Sequence, residues 1–284
     1  MKILVTGSAG FIGKHLVFEL EKQGHEIFAF SQSLGDDICD KNAFNKFHSQ
    51  GIDAVFHLAG KTFVPQSWEN PRDFYEVNIL GTQNVLDFCR KTQAKMIYIS
   101  AYVYGIPQYL PIDEKHPVNP NNPYAHSKYL AEELCRFYSE NFGVKTVILR
   151  PFNLYGDGQK ENFLIPSLIR QLKENNEIIV KDATPRRDYL HISDFINACV
   201  LSLNCQNAFN LFNVGSGKSF SIKEIIEIIT TYSDKELKWE SLGEKRQGEI
   251  PDTQADCALL INELDWKPQK DFKNSIINLK ETFL

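Results

Sequence analysis

The chain of 284 residues contains no apolar run near the roughly 20 residues that cross a bilayer, so no membrane span is expected. A block of lysine and arginine is missing too. With 31 basic against 36 acidic residues the net charge is −5, and no basic face for a nucleic acid is visible. No CxxC pair occurs. The six cysteines (Cys39, Cys89, Cys135, Cys199, Cys205 and Cys257) lack metal-ligand spacing, and most sit in apolar patterns where a reduced, buried thiol is usual. Internal repeats, coiled-coil heptads and low-complexity tracts are absent. The start, Met1-Lys2-Ile3-Leu4-Val5-Thr6-Gly7, is too short for a signal peptide before it meets a glycine turn. These absences point to a cytoplasmic protein with no membrane, nucleic-acid or metal partner. At 43% hydrophobic and 24% charged, its composition suffices for a full core.

What is present is alternation. Short apolar runs at 2–6, 26–30, 54–58, 95–100 and 144–150 read as strands, and amphipathic stretches at 11–23, 71–90 and 123–141 read as helices between them. That order predicts a parallel sheet covered by helices, an α/β fold. Beyond residue 150 the texture shifts to loops rich in Pro, Gly, Asn and Asp with shorter elements. Ser221-Ile222-Lys223-Glu224 is a capping box ahead of an Ile-rich helix. The run 208–214 reads as a strand able to return to the first sheet, so the boundary near 150 is soft.

Two local patterns carry chemistry. Thr6-Gly7-Ser8-Ala9-Gly10-Phe11-Ile12-Gly13 lies between the first strand and the first helix. Gly7 permits the tight turn, Gly10 lets backbone N–H groups approach a pyrophosphate, and Gly13 allows close helix–strand contact. Downstream, Tyr124-Ala125-His126-Ser127-Lys128 follows Asn122-Pro123, a helix start with Asn122 as cap. Tyr124 and Lys128 then share a helix face. A lysine charge ~6 Å from a phenol, at an effective dielectric of ~20, is worth roughly 3 kcal/mol, and so predicts a Tyr124 pKa lowered by about two units. Ser100 ends the fourth strand, at the sheet edge where parallel sheets bind ligands.

Ser100, Tyr124 and Lys128 after that glycine loop resemble the extended short-chain dehydrogenases/reductases, in the NAD-dependent epimerase/dehydratase family. The branch is that of nucleotide-sugar epimerases, dehydratases and ketoreductases, of which UDP-galactose 4-epimerase is the familiar member. The resemblance covers almost the whole chain. It implies a modified Rossmann fold with a parallel sheet plus a small C-terminal substrate-binding domain. Residues 1–150 would bind NAD(P), with a return segment near 187–217, and 151–284 would mainly bind a nucleotide-linked sugar.

By the same resemblance Tyr124 is the acid/base, Lys128 holds the nicotinamide ribose, and Ser100 hydrogen-bonds the reacting sugar oxygen. Gly7, Gly10, Phe11, Ile12, Gly13, Ser31, Asp37, Ile38, Leu58, Ala59, Gly60 and Asn78 complete the cofactor side. His57, ahead of Leu58, reads as a packed strand histidine. Asn153, in Arg150-Pro151-Phe152-Asn153-Leu154-Tyr155-Gly156, matches a contact to the substrate diphosphate. Arg187, Arg246 and Glu249 match the nucleotide half, with Glu249 where the family has Asp. The implied partner is a nucleotide-diphosphate sugar, and a homodimer through helices near 71–90 and 123–141 is implied as well.

Two departures refine this. The dehydratases follow the serine/threonine with an Asp-Glu pair, whereas here Ala101 and Tyr102 stand, so dehydration is not expected. Strand two ends at Ser31 rather than the usual acid, which favours NADP(H), with NAD(H) open, although Asp36 and Asp37 lie close in sequence. Lys14 offers a nearby positive charge. The leading expectation is an NAD(P)-dependent nucleotide-sugar oxidoreductase that reduces a 4-keto hexose. A 4-epimerase with retained NAD and a non-catalytic nucleotide-binding regulator are the alternatives.

Overall fold

Alternation in sequence becomes alternation in space. The computed structural model describes residues 1–175, 177–231, 238–245 and 248–283. Its strands are β1 (Lys2–Thr6), β2 (Glu26–Phe30), β3 (Ala54–His57), β4 (Lys95–Ile99), β5 (Thr146–Pro151) and β6 (Asn153–Tyr155). These are followed by β7 (Glu177–Val180), β8 (Arg186–His191), β9 (Phe209–Val214), β10 (Ser219–Ser221) and β11 (Lys238–Ser241). The helices are α1 (Phe11–Lys22), α2 (Val64–Glu69), α3 (Pro71–Tyr75), α4 (Gly81–Thr92) and α5 (Pro123–Phe142). Then come α6 (Leu164–Asn175), α7 (Ile192–Ser202), α8 (Ile222–Thr231), α9 (Ala258–Leu264) and α10 (Phe272–Phe283).

Six strands form one sheet in the order β2-β1-β3-β4-β5-β9, each neighbour parallel to the next. The run 208–214 does return, as β9 beside β5 with Ile148 opposite Leu211. Strands covered on both faces need apolar residues throughout, and β3, Ala-Val-Phe-His, is buried at every position. One face packs on Leu16 and Leu20 of α1, Phe195 and Ile196 of α7 and Leu260 of α9, closed by Trp266. The other packs on Val85, Leu86 and Phe88 of α4, Ala131 and Cys135 of α5, and Phe44 and Phe47. A third core gathers Leu168 and Ile169 of α6, Ile225 and Ile229 of α8, and Phe272 of α10. It lies with the small sheets β10-β8-β6 and β11-β7.

Helix ends follow the local chemistry. Asn122 Oδ1 accepts from Ala125 N at 2.8 Å with Pro123 in the first turn of α5. At α8 the Ser221 hydroxyl accepts from Glu224 N (3.1 Å) and the Glu224 carboxylate accepts from Ser221 N (2.7 Å). The single helix predicted at 71–90 is corrected. It breaks into α3, a π-helical turn at Glu76–Leu80, and α4. A π turn inserts one residue and rotates the side chains beyond it, and here the rotated residue is the buried Asn78. Among the described residues no helix is long and apolar enough to cross a membrane.

Candidate active site

The glycine turn is built by close approach. Gly7 has φ +72, and a Cβ there would lie 2.8 Å from Ala59 N. A Cβ on Gly13 would meet Gly7 O at 2.2 Å. The first turn therefore nests directly on the Leu58-Ala59 backbone, and Phe11 and Ile12, both half-buried, open α1 with its N–H groups facing outward from the strand end. This is a cradle that side chains would fill, and it fits a dinucleotide pyrophosphate. Gly10 N donates to Gly7 O at 3.0 Å, closing the loop. Gly60 has the same function, since a Cβ there would sit 2.9 Å from Asn78 Oδ1.

His57 explains the order beneath that cradle. Its Nδ1 lies 2.7 Å from Thr6 Oγ1 and its Nε2 lies 3.0 Å from Thr82 Oγ1. Thr82 donates its proton to Asn78 O at 2.6 Å, so it accepts from His57 Nε2–H. Thr6 in turn accepts from Ala59 N at 3.2 Å. The ring is fully buried, and burial first, then the Lys128 charge, hold its pKa down near about 3. A neutral, doubly bonded imidazole is a packing device, as the sequence suggests.

Asn78 ties three elements together. Its Oδ1 accepts from Lys61 N (2.9 Å), and its Nδ2 donates to Lys61 O (3.1 Å) and to Ser127 Oγ (2.9 Å). The loop after β3, the π turn and the Tyr124–Lys128 helix are thus held in one register. Ser127 passes the contact on by donating to Tyr124 O at 2.8 Å.

At the end of β4, Ser100 is buried (4% exposed) and its Oγ has no hydrogen-bond partner among the described residues. An orphaned buried hydroxyl costs on the order of 1–3 kcal/mol, a cost that a ligand oxygen would remove. Directly before it, the Ile99 carbonyl accepts from Lys128 Nζ at 2.6 Å, and the ammonium lies 4.2 Å from the centre of the Tyr98 ring. Ser100 and Lys128 therefore meet around one peptide unit. Tyr124 is half-buried, edge-on to Phe74 at 6.3 Å between ring centres. Burial lowers the Lys128 pKa to about 7, with Glu132 opposing, and burial raises that of Tyr124 above the ordinary phenol value. The expected acidification of Tyr124 is corrected for this state: the ammonium is turned to the Ile99 carbonyl, and desolvation of the phenol prevails.

The end of β2 holds a polar group that local sequence only half reveals. Ser31 is buried, its hydroxyl 2.8 Å from that of Ser33, and its N–H donates to Asp36 Oδ2 at 3.0 Å. The other oxygen of Asp36 takes the ammonium of Lys46. Asp37 folds back on Cys39 N (2.9 Å), and the buried Ile38 presses on Gly81. Lys46, ten residues beyond Asp36, carries no motif and was missed by sequence reasoning. Lys14 is exposed.

On the other wall, Asn153 Nδ2 donates to Asp188 O at 3.3 Å. Arg187 is brought against Glu249, with which it forms an ion pair. Arg246 lies outside the described residues. Tyr102 donates to Gly105 O at 2.7 Å and stacks edge-on against Phe152. Sequence reasoning also missed Glu132, four residues after Lys128 on the same helix, although its spacing was the available signal. Glu132 holds the buried Arg150.

A model of the NAD dependent epimerase/dehydratase family matches residues 3–215. The GDP-6-deoxy-D-mannose reductase of Pseudomonas aeruginosa is 32% identical, over 97% of this chain and 94% of its own. The UDP-glucose 4-epimerase of Lactobacillus helveticus is 30% identical, over 98% and 95%. The solved structure of RMD from Pseudomonas aeruginosa complexed with NADPH superposes with a TM-score of 0.90 at 31% identity, over 100% of this chain and 99% of that one.

Proposed function

Because this chain belongs to the NAD dependent epimerase/dehydratase family, we propose that it is a ketoreductase acting at C4 of a nucleotide-linked hexose. It is an NAD(P)-dependent enzyme of nucleotide-sugar chemistry. When bound, the nicotinamide cofactor supplies the hydride. The residues of this chain do the rest. Gly7, Gly10 and Gly13 leave room for the pyrophosphate on the N-terminus of α1, with Phe11 and Ile12 beside it. Ser31, Asp37 and Ile38 border the adenosine end, and Leu58, Ala59, Gly60 and Asn78 shape the floor. Lys128 carries the charge that holds the ribose.

Ser100 Oγ donates to the sugar carbonyl, and Tyr124 gives its proton to that oxygen as the carbon receives the hydride. Protonation by Tyr124 completes the alcohol. Asn153, Arg187, Arg246 and Glu249 bind the nucleoside diphosphate, arginine's planar fork suiting phosphate oxygens. The C-terminal elements thereby act as the substrate side and residues 1–150, with the β9 return, as the cofactor side. The single observation that carries the reading is the buried, unpartnered Ser100 hydroxyl at the end of β4, beside the Lys128 ammonium.

The relative named as a UDP-glucose 4-epimerase supports a second reading, in which a retained NAD returns its hydride to the same carbon. NADP(H) is the cofactor favoured by Ser31 and Lys46, and a freely exchanging reductant suits a reductase. A homodimer through α4 and α5 accompanies both readings. The test is incubation with NADPH or NADH and a panel of nucleotide 4-keto sugars, following cofactor oxidation and product. Cofactor oxidation coupled to alcohol formation supports the reductase. Interconversion of 4-epimers without net oxidation supports the epimerase, and turnover of neither substrate class overturns both.

A further inference from the structure

Tyr124, Lys128 and Glu132 are spaced four residues apart and lie on one face of α5. Glu132 is 2% exposed and Arg150, from the neighbouring β5, is 3% exposed. The guanidinium grips the carboxylate with Nε at 2.9 Å and a terminal nitrogen at 2.5 Å. Its remaining nitrogen donates to Tyr104 Oη at 2.8 Å, and Tyr104 donates to Asn213 Oδ1 at 2.6 Å. Burying two charges is expensive, and equal-sized apolar residues would fold as well or better. The pair therefore calls for a reason other than stability.

Its position supplies one. Around Lys128 stand Cys135 on its own helix, Tyr98 and the Ile99 carbonyl on β4, and His57 on β3, with Tyr124 one helical turn before it. Burial raises the pKa of Tyr98 and Cys135 and lowers that of His57, so all three are neutral. Glu132 is the one anion among these described neighbours that opposes the desolvation of the ammonium. Arg150 grips the carboxylate through Nε and a terminal nitrogen, fixing where the Glu132 charge sits in the buried site.

We propose that Glu132 and Arg150 are positioning residues for the reaction: Glu132 is the buried counter-charge that keeps Lys128 cationic, and Arg150 holds the Glu132 carboxylate in place on that helix face. The inference rests on the reading of Lys128 as the residue whose charge the chemistry uses. Through Tyr104, the same arginine anchors the segment that follows Ser100, so one ion pair serves both sides of the reacting oxygen.

The experiment titrates Lys128 in the cofactor-free enzyme by NMR of ¹³Cε-labelled lysine, a readout independent of turnover. Glu132→Gln leaves Arg150 unbalanced behind the ammonium, and the Lys128 pKa falls by about one unit or more, the size expected for a partly neutralised charge ~6 Å away. Glu132→Gln combined with Arg150→Met removes both charges, and the pKa lies between the parent and the single variant. The double variant has no uncompensated buried charge, so it keeps the test available if the single variant does not fold. The order parent, double, single supports the proposal, as does a lowered double variant when the single is unfolded. An unchanged Lys128 pKa, or any other order, overturns it. In turnover assays the alkaline limb of kcat/KM moves to lower pH in step with Lys128. If the parent turns over no nucleotide sugar, the reductase reading fails, while the lysine titration still decides the role of Glu132.

Discussion

Arg187 and Glu249 grip each other: the guanidinium donates to the carboxylate, and its other terminal nitrogen donates to the carbonyls of Arg186 (2.7 Å) and Ile250 (2.6 Å). Two residues expected to meet the nucleotide are thus held together before any ligand is considered. The arginine is pre-aligned by backbone carbonyls, so a diphosphate finds it in place. It pays for that with partial neutralisation. Phosphate binding is shared by ground and transition states, so Arg187→Ala should raise the substrate KM at least about tenfold and change kcat less than about threefold. Steady-state kinetics with the best nucleotide sugar measures both. A nucleoside diphosphate that binds the variant as tightly as the parent removes Arg187 from the substrate site.

Tyr124→Phe deletes the proposed proton donor and leaves the ring against Phe74. Turnover should fall at least roughly a hundredfold, the range for a positioned acid/base, while cofactor affinity stays within a few-fold. Cofactor titration and single-turnover rates separate the two effects. Near-parental turnover by a folded variant excludes Tyr124 as the acid.

Dehydration offers a check on a different residue pair. Ala101 has no proton to move, and burial raises the pKa of Tyr102, whose hydroxyl is committed to Gly105 O at 2.7 Å. A phenol so placed is a weak acid near neutrality. Incubation with nucleotide-glucose should therefore yield no 4-keto-6-deoxy sugar, as mass spectrometry of the products will read directly.

His57 gives a pH prediction with a definite sign. Its folded pKa, near 3, lies below the ordinary value of 6.5. Between these values the unfolded chain binds a proton that the folded chain refuses, so stability is lost as pH falls from about 6.5 toward 3. The lost contribution is on the order of 5 kcal/mol when the titration is complete. His57→Gln removes the titration, and its unfolding free energy should fall less steeply over that window, whatever the substitution costs at pH 7. Denaturant melts at several pH values supply the slopes, and equal slopes in parent and variant would mean that His57 titrates alike in both states.

What the sequence revealed, and what it hid, divides by range. The glycine turn is legible because Gly7 and Gly13 answer to backbone a few residues or one strand away, and glycine leaves an unambiguous mark. The Tyr124–Lys128 helix is legible from Asn122-Pro123 and a four-residue spacing. Asn78 was visible as an odd polar residue in a helix, but not the π turn that aims it, because that turn answers to Lys61 and Ser127 in other elements. Arg187 with Glu249, and Arg150 with Glu132, are pairings across 62 and 18 residues. No local pattern encodes such pairings. The direction of the Lys128 side chain was hidden for the same reason: the Ile99 carbonyl belongs to β4, not to the helix that carries Lys128.

The proposed cofactor preference draws on Lys46, another residue that only the fold makes relevant. An acid closing β2 would repel a 2′-phosphate bearing close to two negative charges, and Ser31 removes it. Asp36 had stood against an NADP preference. Its carboxylate is in fact 7% exposed, bonded to Ser31 N and matched by the Lys46 ammonium, so its charge is largely neutralised. Lys46 itself is 55% exposed, and the Ser31 and Ser33 hydroxyls lie on the same β2 end. A 2′-phosphate would compete with Asp36 for this lysine, and a 2′-hydroxyl would not. NADPH should accordingly bind the parent more tightly than NADH. Lys46→Ala should weaken NADPH about tenfold, the scale of one exposed charge-assisted phosphate contact, and leave NADH within about twofold. Isothermal titration with both cofactors on parent and variant decides it. Equal losses for the two cofactors would assign Lys46 to folding of the β2 end alone. Tighter NADH binding by the parent would reverse the preference and strengthen the epimerase reading, which needs a cofactor that stays.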